Sequence, residues 1–204
     1  MNKLLTAACL ISLFLLQACS KDNDSDGNGG RAINNEELAR AAFGKIDALW
    51  TAVLRPALGS QAQTYSGKEL QGAGGGKATV TGTFVKSSSS SFTSSLNSST
   101  MDIVIAFDQY QYSDLRLNGS IRFYEYSYSR TACSSSGCAS SSKNTSAYES
   151  KLKGLDTALS PFNIELMHNG ERFKDLILMD SHKEFSTWKV DITNSDKTTF
   201  TFYL

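Results

Sequence analysis

The spacing of hydrophobic positions changes character along the chain. Residues 4–16 are almost continuously apolar, and residues 20–32, "SKDNDSDGNGGRA", have no apolar face at all. Over residues 34–59, Leu38, Ala42, Ile46, Leu49, Val53 and Ala57 recur at helical spacing, flanked by Phe43, Trp50 and Leu54. Glu36, Arg40, Lys45 and Asp47 are left to face water, so this stretch predicts one amphipathic helix. Asn34, with Glu37 three residues on, predicts its N-cap, and Pro56 and Gly59 predict its end.

From Gly76 the period becomes two. "KATVTGTFV" predicts a strand, and the serine-rich residues 87–100 predict a long exposed connection. "MDIVIAF" places Met101, Ile103, Ile105 and Phe107 on one face. "LRLNGSIRFYEYSY" sets Leu115, Leu117, Ile121 and Phe123 against Arg116, Asn118, Ser120 and Arg122, the pattern of an antiparallel strand with one wet face. "FNIELM" and "ERFKDLILMD" flank an Asn169-Gly170 pair, which predicts a type I′ hairpin. "FSTWKVDI" and "TTFTFYL" complete the set around an Asn194-Ser195-Asp196 turn. Tyr112–Leu117 and Phe173–Leu178 share an aromatic-x-Asp-Leu-x-Leu pattern, which suggests two similar hairpin units. Short turns between strands favour hairpins over crossovers. The fold expected is mainly β: a curved antiparallel sheet or open barrel of about eight strands with one N-terminal helix packed on it. A two-sheet β-sandwich is the alternative.

The first residues carry a different message. Lys3 precedes the apolar run, which is too short to span a bilayer as a permanent helix and fits a secretory signal. The run ends at Leu16-Gln17-Ala18-Cys19, which resembles the lipobox of bacterial lipoproteins, with Gln17 where a small residue is commoner. The resemblance implies cleavage after Ala18, a diacylglycerol thioether on Cys19, and stable anchoring by two or three acyl chains. The acids that follow, Asp22, Asp24 and Asp26, are similar to the export signal of Bacteroidota surface lipoproteins, although Asn23 and Ser25 interrupt them. That implies an outer-membrane protein facing the cell surface, with the periplasmic face as the alternative. The expected division is a signal at 1–18, a lipidated acidic tether at 19–34, and a helix-plus-β domain at 35–204.

Charge and cysteines narrow the field further. The chain is formally neutral, and removing residues 1–18 takes away Lys3 and no acid. No clustered Lys/Arg invites nucleic acid. Cys9 leaves with the signal and Cys19 takes the lipid, so Cys133 and Cys138 remain in "TACSSSGCAS". In an exported protein such a pair is expected as a disulfide, with free thiols or a metal site as alternatives.

Candidate chemistry is sparse. His168 abuts the Asn-Gly turn, and Asp180-Ser181-His182 are too close in sequence to form a nucleophile–base–orienter geometry. "GAGGGKAT" lacks P-loop spacing and leads into a strand rather than a helix. No catalytic residue, cofactor or metal is therefore expected. Tyr110, Tyr112, Tyr124, Tyr126 and Tyr128, with Arg122, crowd adjacent strand regions. An aromatic row of this kind suits stacking of sugars or contact with a protein; ordinary cross-strand pairing on a half-buried sheet is the competing explanation. Asp156-Thr157-Ala158 resembles the O-glycosylation motif of exported Bacteroidota proteins, with Thr157 as the acceptor. The expected role is a non-enzymatic, lipid-anchored envelope protein presenting a β domain to a glycan, lipid or protein partner. A periplasm-facing carrier holding an apolar ligand between sheet and helix is the second reading. An enzyme with an unrecognised site is the third.

Overall fold

The computed structural model describes residues 30–150 and 161–204. The signal, Cys19, most of the tether and Thr157 lie outside the described residues.

The domain begins earlier than the boundary at residue 35. Arg31 bridges to Phe173, Ile33 is fully buried, and the Ile33 N–H donates to Asp175 Oδ2 at 2.8 Å. Asn194 Nδ2 donates to the Ile33 carbonyl at 2.9 Å, so residues assigned to the tether are docked on the sheet. One buried isoleucine and two satisfied backbone groups outweigh the polar composition around them.

The helix follows as three joined segments: α1 (Glu36–Leu49), a π-helical turn (Trp50–Leu54) and α2 (Arg55–Leu58). Its N-cap is Asn35, not Asn34; the Asn35 side chain accepts from the Leu38 N–H at 2.9 Å. Pro56 has no N–H to give to the carbonyl four residues back, and its ring would crowd that carbonyl. The wide turn before it, in which the Arg55 N–H reaches the Trp50 carbonyl, relieves the crowding. The extra residue rotates the buried stripe. Leu54 and Leu58 face the core, while Val53 is only half-buried and Ala57 is exposed.

Among the described residues, nine strands make up one antiparallel sheet: β1 (Gln63–Gln71), β2 (Lys77–Ser90), β3 (Ser94–Tyr112), β4 (Leu115–Ser134), β5 (Gly137–Glu149), β6 (Phe162–His168), β7 (Glu171–Glu184), β8 (Thr187–Thr193) and β9 (Thr199–Tyr203). The mainly β class, with a single helical segment among the described residues, agrees with the sequence. The two-sheet sandwich does not, because every strand is hydrogen-bonded into the same sheet. A simple run of neighbours does not describe the connectivity either. β5 and β6 lie end to end between β4 and β7: Glu149 pairs with Arg122 and Asp180, while Phe162 pairs with Ile177 and Asn163 with Asn118. The pairings therefore close a small ring, β4–β5–β7–β6, with β3, β2 and β1 added beyond β4 and β8 and β9 beyond β7.

The serine-rich stretch is not a loose connection. Val85–Ser90 pair with Ser95–Thr100, and Ser94–Thr100 pair with Tyr126–Ala132. With Gly137–Asn144 of β5 alongside, this makes a four-stranded polar arm that continues the sheet beyond the helix. Cys133 and Cys138 face each other across the β4–β5 tip and form the expected disulfide. The first five residues of "GAGGGKAT" form the β1–β2 turn, where Gly76 is required: at φ +68°, a Cβ there would lie 2.0 Å from the Gln109 carbonyl oxygen. Asn169 and Gly170 both have positive φ, as a type I′ turn needs. The two aromatic-x-Asp-Leu-x-Leu segments are not equivalent: Asp114 sits in the β3–β4 turn, whereas Asp175 is buried within β7.

The core lies between the helix and one face of the sheet. Phe43 meets Tyr148, Trp188 and Phe202 edge-on, with ring centroids 5.9, 5.2 and 6.3 Å apart. Tyr148 stacks on Trp188 at 5.3 Å, and Trp50 lies against Phe123. These rings fill the space under the helix.

Candidate functional site

Directly paired residues in an antiparallel sheet share a face, so the register assigns each side chain to the helix side or the far side. The tyrosine row divides accordingly. Tyr124, Tyr126 and Tyr128 stand half-buried in a line on the far side, and the Tyr126 and Tyr128 rings are 6.2 Å apart. Their partners across the strands are Asp102 and Ala147, Thr100 and Thr145, and Ser98 and Lys143, so they make no cross-strand tyrosine pairs. Tyr110 does not join them. It is buried beside Phe107, and burial pushes its phenol pKa up. Tyr112 packs against the core at the opposite end of the sheet. Arg122 is committed elsewhere: its guanidinium holds Asp102 through two nitrogens at 2.8 and 3.1 Å and also pairs with Glu149, tying β3, β4 and β5 together. It lies 5.4 Å from the Tyr124 ring.

The helix side of the arm holds a groove that the sequence did not point to. Its outer part, about 540 Å³, is lined by Lys86, Ser99, Ser127 and Asn144 in one cross-strand row and by Ser88, Asn97, Ser129 and Ser142 in the next. Its inner part, about 510 Å³, lies where the helix ends over the sheet. Asp47, Trp50 and Arg55 contribute from the helix, and Glu125, Ser146, Tyr148, Lys183, Phe185 and Trp188 from the sheet. Ser127 and Asn144 line both parts, so the two are continuous.

The inner part is locally balanced in charge. The Tyr148 hydroxyl donates to Asp47 Oδ1 at 2.7 Å. Burial first, then the Asp47 carboxylate, drive the Tyr148 pKa well above the ordinary phenol range, so it remains a donor. Arg55 pairs with Glu125 at 3.5 Å, and Lys183 lies over the Trp188 ring at 5.4 Å. Phe185 marks the rim. It occupies the two-residue β7–β8 turn at φ +55° and is 74% exposed. A bulky side chain in that backbone region is strained where glycine or asparagine would not be. The sequence pattern reads Phe185 as the first residue of the strand segment "FSTWKVDI", so no local signal marked it as an exposed turn residue.

The two histidines lie apart, each beside a glutamate. His168 Nε2 is 3.0 Å from Glu37 Oε1 on the surface, and His182 is exposed beside Glu184 at 3.6 Å. Ser181 is buried with its hydroxyl on the Tyr148 carbonyl, so it points away from its neighbour His182. Among the described residues, no group of three or more His, Cys, Asp or Glu side chains is placed to hold a metal ion, and no helix is long and apolar enough to cross a membrane. Compared with protein-family models, curated proteins and solved structures, the chain finds no match.

Proposed function

We propose that this chain is a lipid-anchored protein of the cell envelope, attached through diacylglycerol on Cys19 and facing the cell surface, whose β domain binds a partner and does no chemistry on it. The observation that carries the binding part is the continuous groove between the polar arm and the end of the helix, which combines rings, amides, hydroxyls and paired charges. Anchoring rests on the Leu16–Cys19 segment and the acidic residues after it.

Metabolic labelling with palmitate tests the anchor: the chain should take up label, and Cys19→Ser should abolish both labelling and membrane association. Protease treatment of intact cells should remove the domain; survival until lysis would place it on the periplasmic face instead. Native mass spectrometry of the full chain extracted from envelopes should show a bound species. A bare protein in every preparation would count against the binding role.

The carrier reading has one observation in its favour: helix and sheet both line the inner part of the groove. Against it, the space beneath the helix is filled by Phe43, Tyr148, Trp188 and Phe202. An extracted fatty acid or other apolar ligand in the same mass spectra would support it.

A further inference from the structure

We infer that this groove is a binding site for a neutral oligosaccharide, with Phe185 as the platform on which one sugar ring stacks. The inference rests on the binding role proposed above and names the ligand class.

Three observations point the same way. The first is hydrogen-bonding capacity left unused by the fold. Ser99 and Ser127 bond to each other at 2.7 Å, but the side chains of Ser88, Asn97, Ser129, Ser142 and Asn144 make no hydrogen bond within the described residues. Each asparagine offers two donors and an acceptor on a planar amide, and each serine offers one donor and an acceptor. Such a set matches a ligand covered in hydroxyls. Tyr128 also lines the outer groove, and no other aromatic or aliphatic residue joins it there to make the wall a lipid chain would need.

The second is charge. Lys86 lies over the Phe84 ring at 5.5 Å, Lys183 over Trp188, and Arg55 beside Glu125. The cations are dispersed and partly compensated, whereas a polyanion is held by clustered ones.

The third is Phe185. An exposed aromatic in a strained turn at the rim of a polar groove has no core to fill. Its ring face suits the C–H face of a sugar. From the Trp188 row to the Ser129 row the groove crosses two steps of about 7 Å along the strands, an elongated site rather than a point.

The experiment titrates the full chain, held in a non-glycosidic detergent, with maltohexaose, cellohexaose, xylohexaose and mannohexaose in a calorimeter. A heparin-derived hexasaccharide and oleate serve as the anionic and apolar probes. At least one neutral hexasaccharide should bind, and Asn144→Ala and Phe185→Ala should each weaken it by about tenfold or more while Phe185→Tyr retains it. Phe185→Gly separates function from folding: it should raise the melting temperature and still lose binding. If the anionic or apolar probe binds and no neutral sugar does, the ligand class is wrong while the binding role stands. Binding that survives Asn144→Ala and Phe185→Ala but is lost in Tyr126→Ser would move the site to the far face and overturn the inference. Binding of no probe would overturn it as well.

Discussion

Single residues show where this fold departs from the cheapest solution. Phe185 is the clearest: its turn asks for glycine, and relief of the positive φ in Phe185→Gly should stabilise the domain by about 1 kcal/mol, read as a higher denaturation midpoint at unchanged slope. Tyr148 is the reverse, a polar group that the core accepts because Asp47 takes its proton's hydrogen bond. Its folded pKa is raised above the ordinary value of 10.0. Above that pH the unfolded chain releases the proton and the folded chain keeps it, so stability is full below pH 10 and falls as pH rises. Wild type should lose up to about 1.4 kcal/mol more per pH unit than Tyr148→Phe in that window. Urea melts of the two proteins between pH 9 and pH 11 would measure it; parallel curves would remove Tyr148 as the cause. Arg122 illustrates a residue whose environment decides its meaning. On the sequence it belongs to a binding surface, but two carboxylates occupy it.

At the scale of elements, the sheet and the helix each carry one feature that local pattern hides. A π-helical turn before Pro56 shifts the buried stripe by one residue, so Leu54 and Leu58 replace Val53 and Ala57. The arm is held by backbone pairing and a tip disulfide rather than by apolar burial. The chain closed by Cys133 and Cys138 is short, so the bond contributes about 2 kcal/mol at most, and only locally. In the double variant Cys133→Ser/Cys138→Ser, amide exchange should quicken across residues 126–146, while amides of β7 and β8 exchange as before. Uniform acceleration would mean that the arm and the core unfold together. β1 and β5 were missed in the sequence for the same reason: β1 buries only Tyr65, and β5 is exposed for most of its length. Their strand state comes from the neighbours they pair with, and no periodicity within them records it.

For the whole molecule, one hydrophobic cluster joins the helix to every one of the nine described strands. Phe43 sits at its centre, touching rings from β5, β8 and β9. Phe43→Ala should cost about 3–5 kcal/mol and keep a single cooperative transition. Helix loss preceding sheet loss in a thermal melt, seen by far-ultraviolet and tryptophan signals separating, would contradict one shared core. The ring of pairings matters here as well. β5 and β6 lie end to end between the same two strands, so the core sits against a closed set of pairings.

The sequence alone determined the β class, the presence of one amphipathic helix, the strands whose inner faces are apolar, the Asn-Gly turn and the disulfide. Each is written in a local pattern, because burial of one face imposes a period of two or 3.6 on neighbouring residues. Tertiary structure decided what no local pattern encodes. It made strands of the serine-rich stretches, separated Tyr110 from Tyr124, Tyr126 and Tyr128, and assembled the groove from Asp47, Arg55, Asn144 and Phe185. Those residues are far apart in the chain. Cross-strand register and the place where the helix stops bring them together, and both are set by long-range pairing and packing.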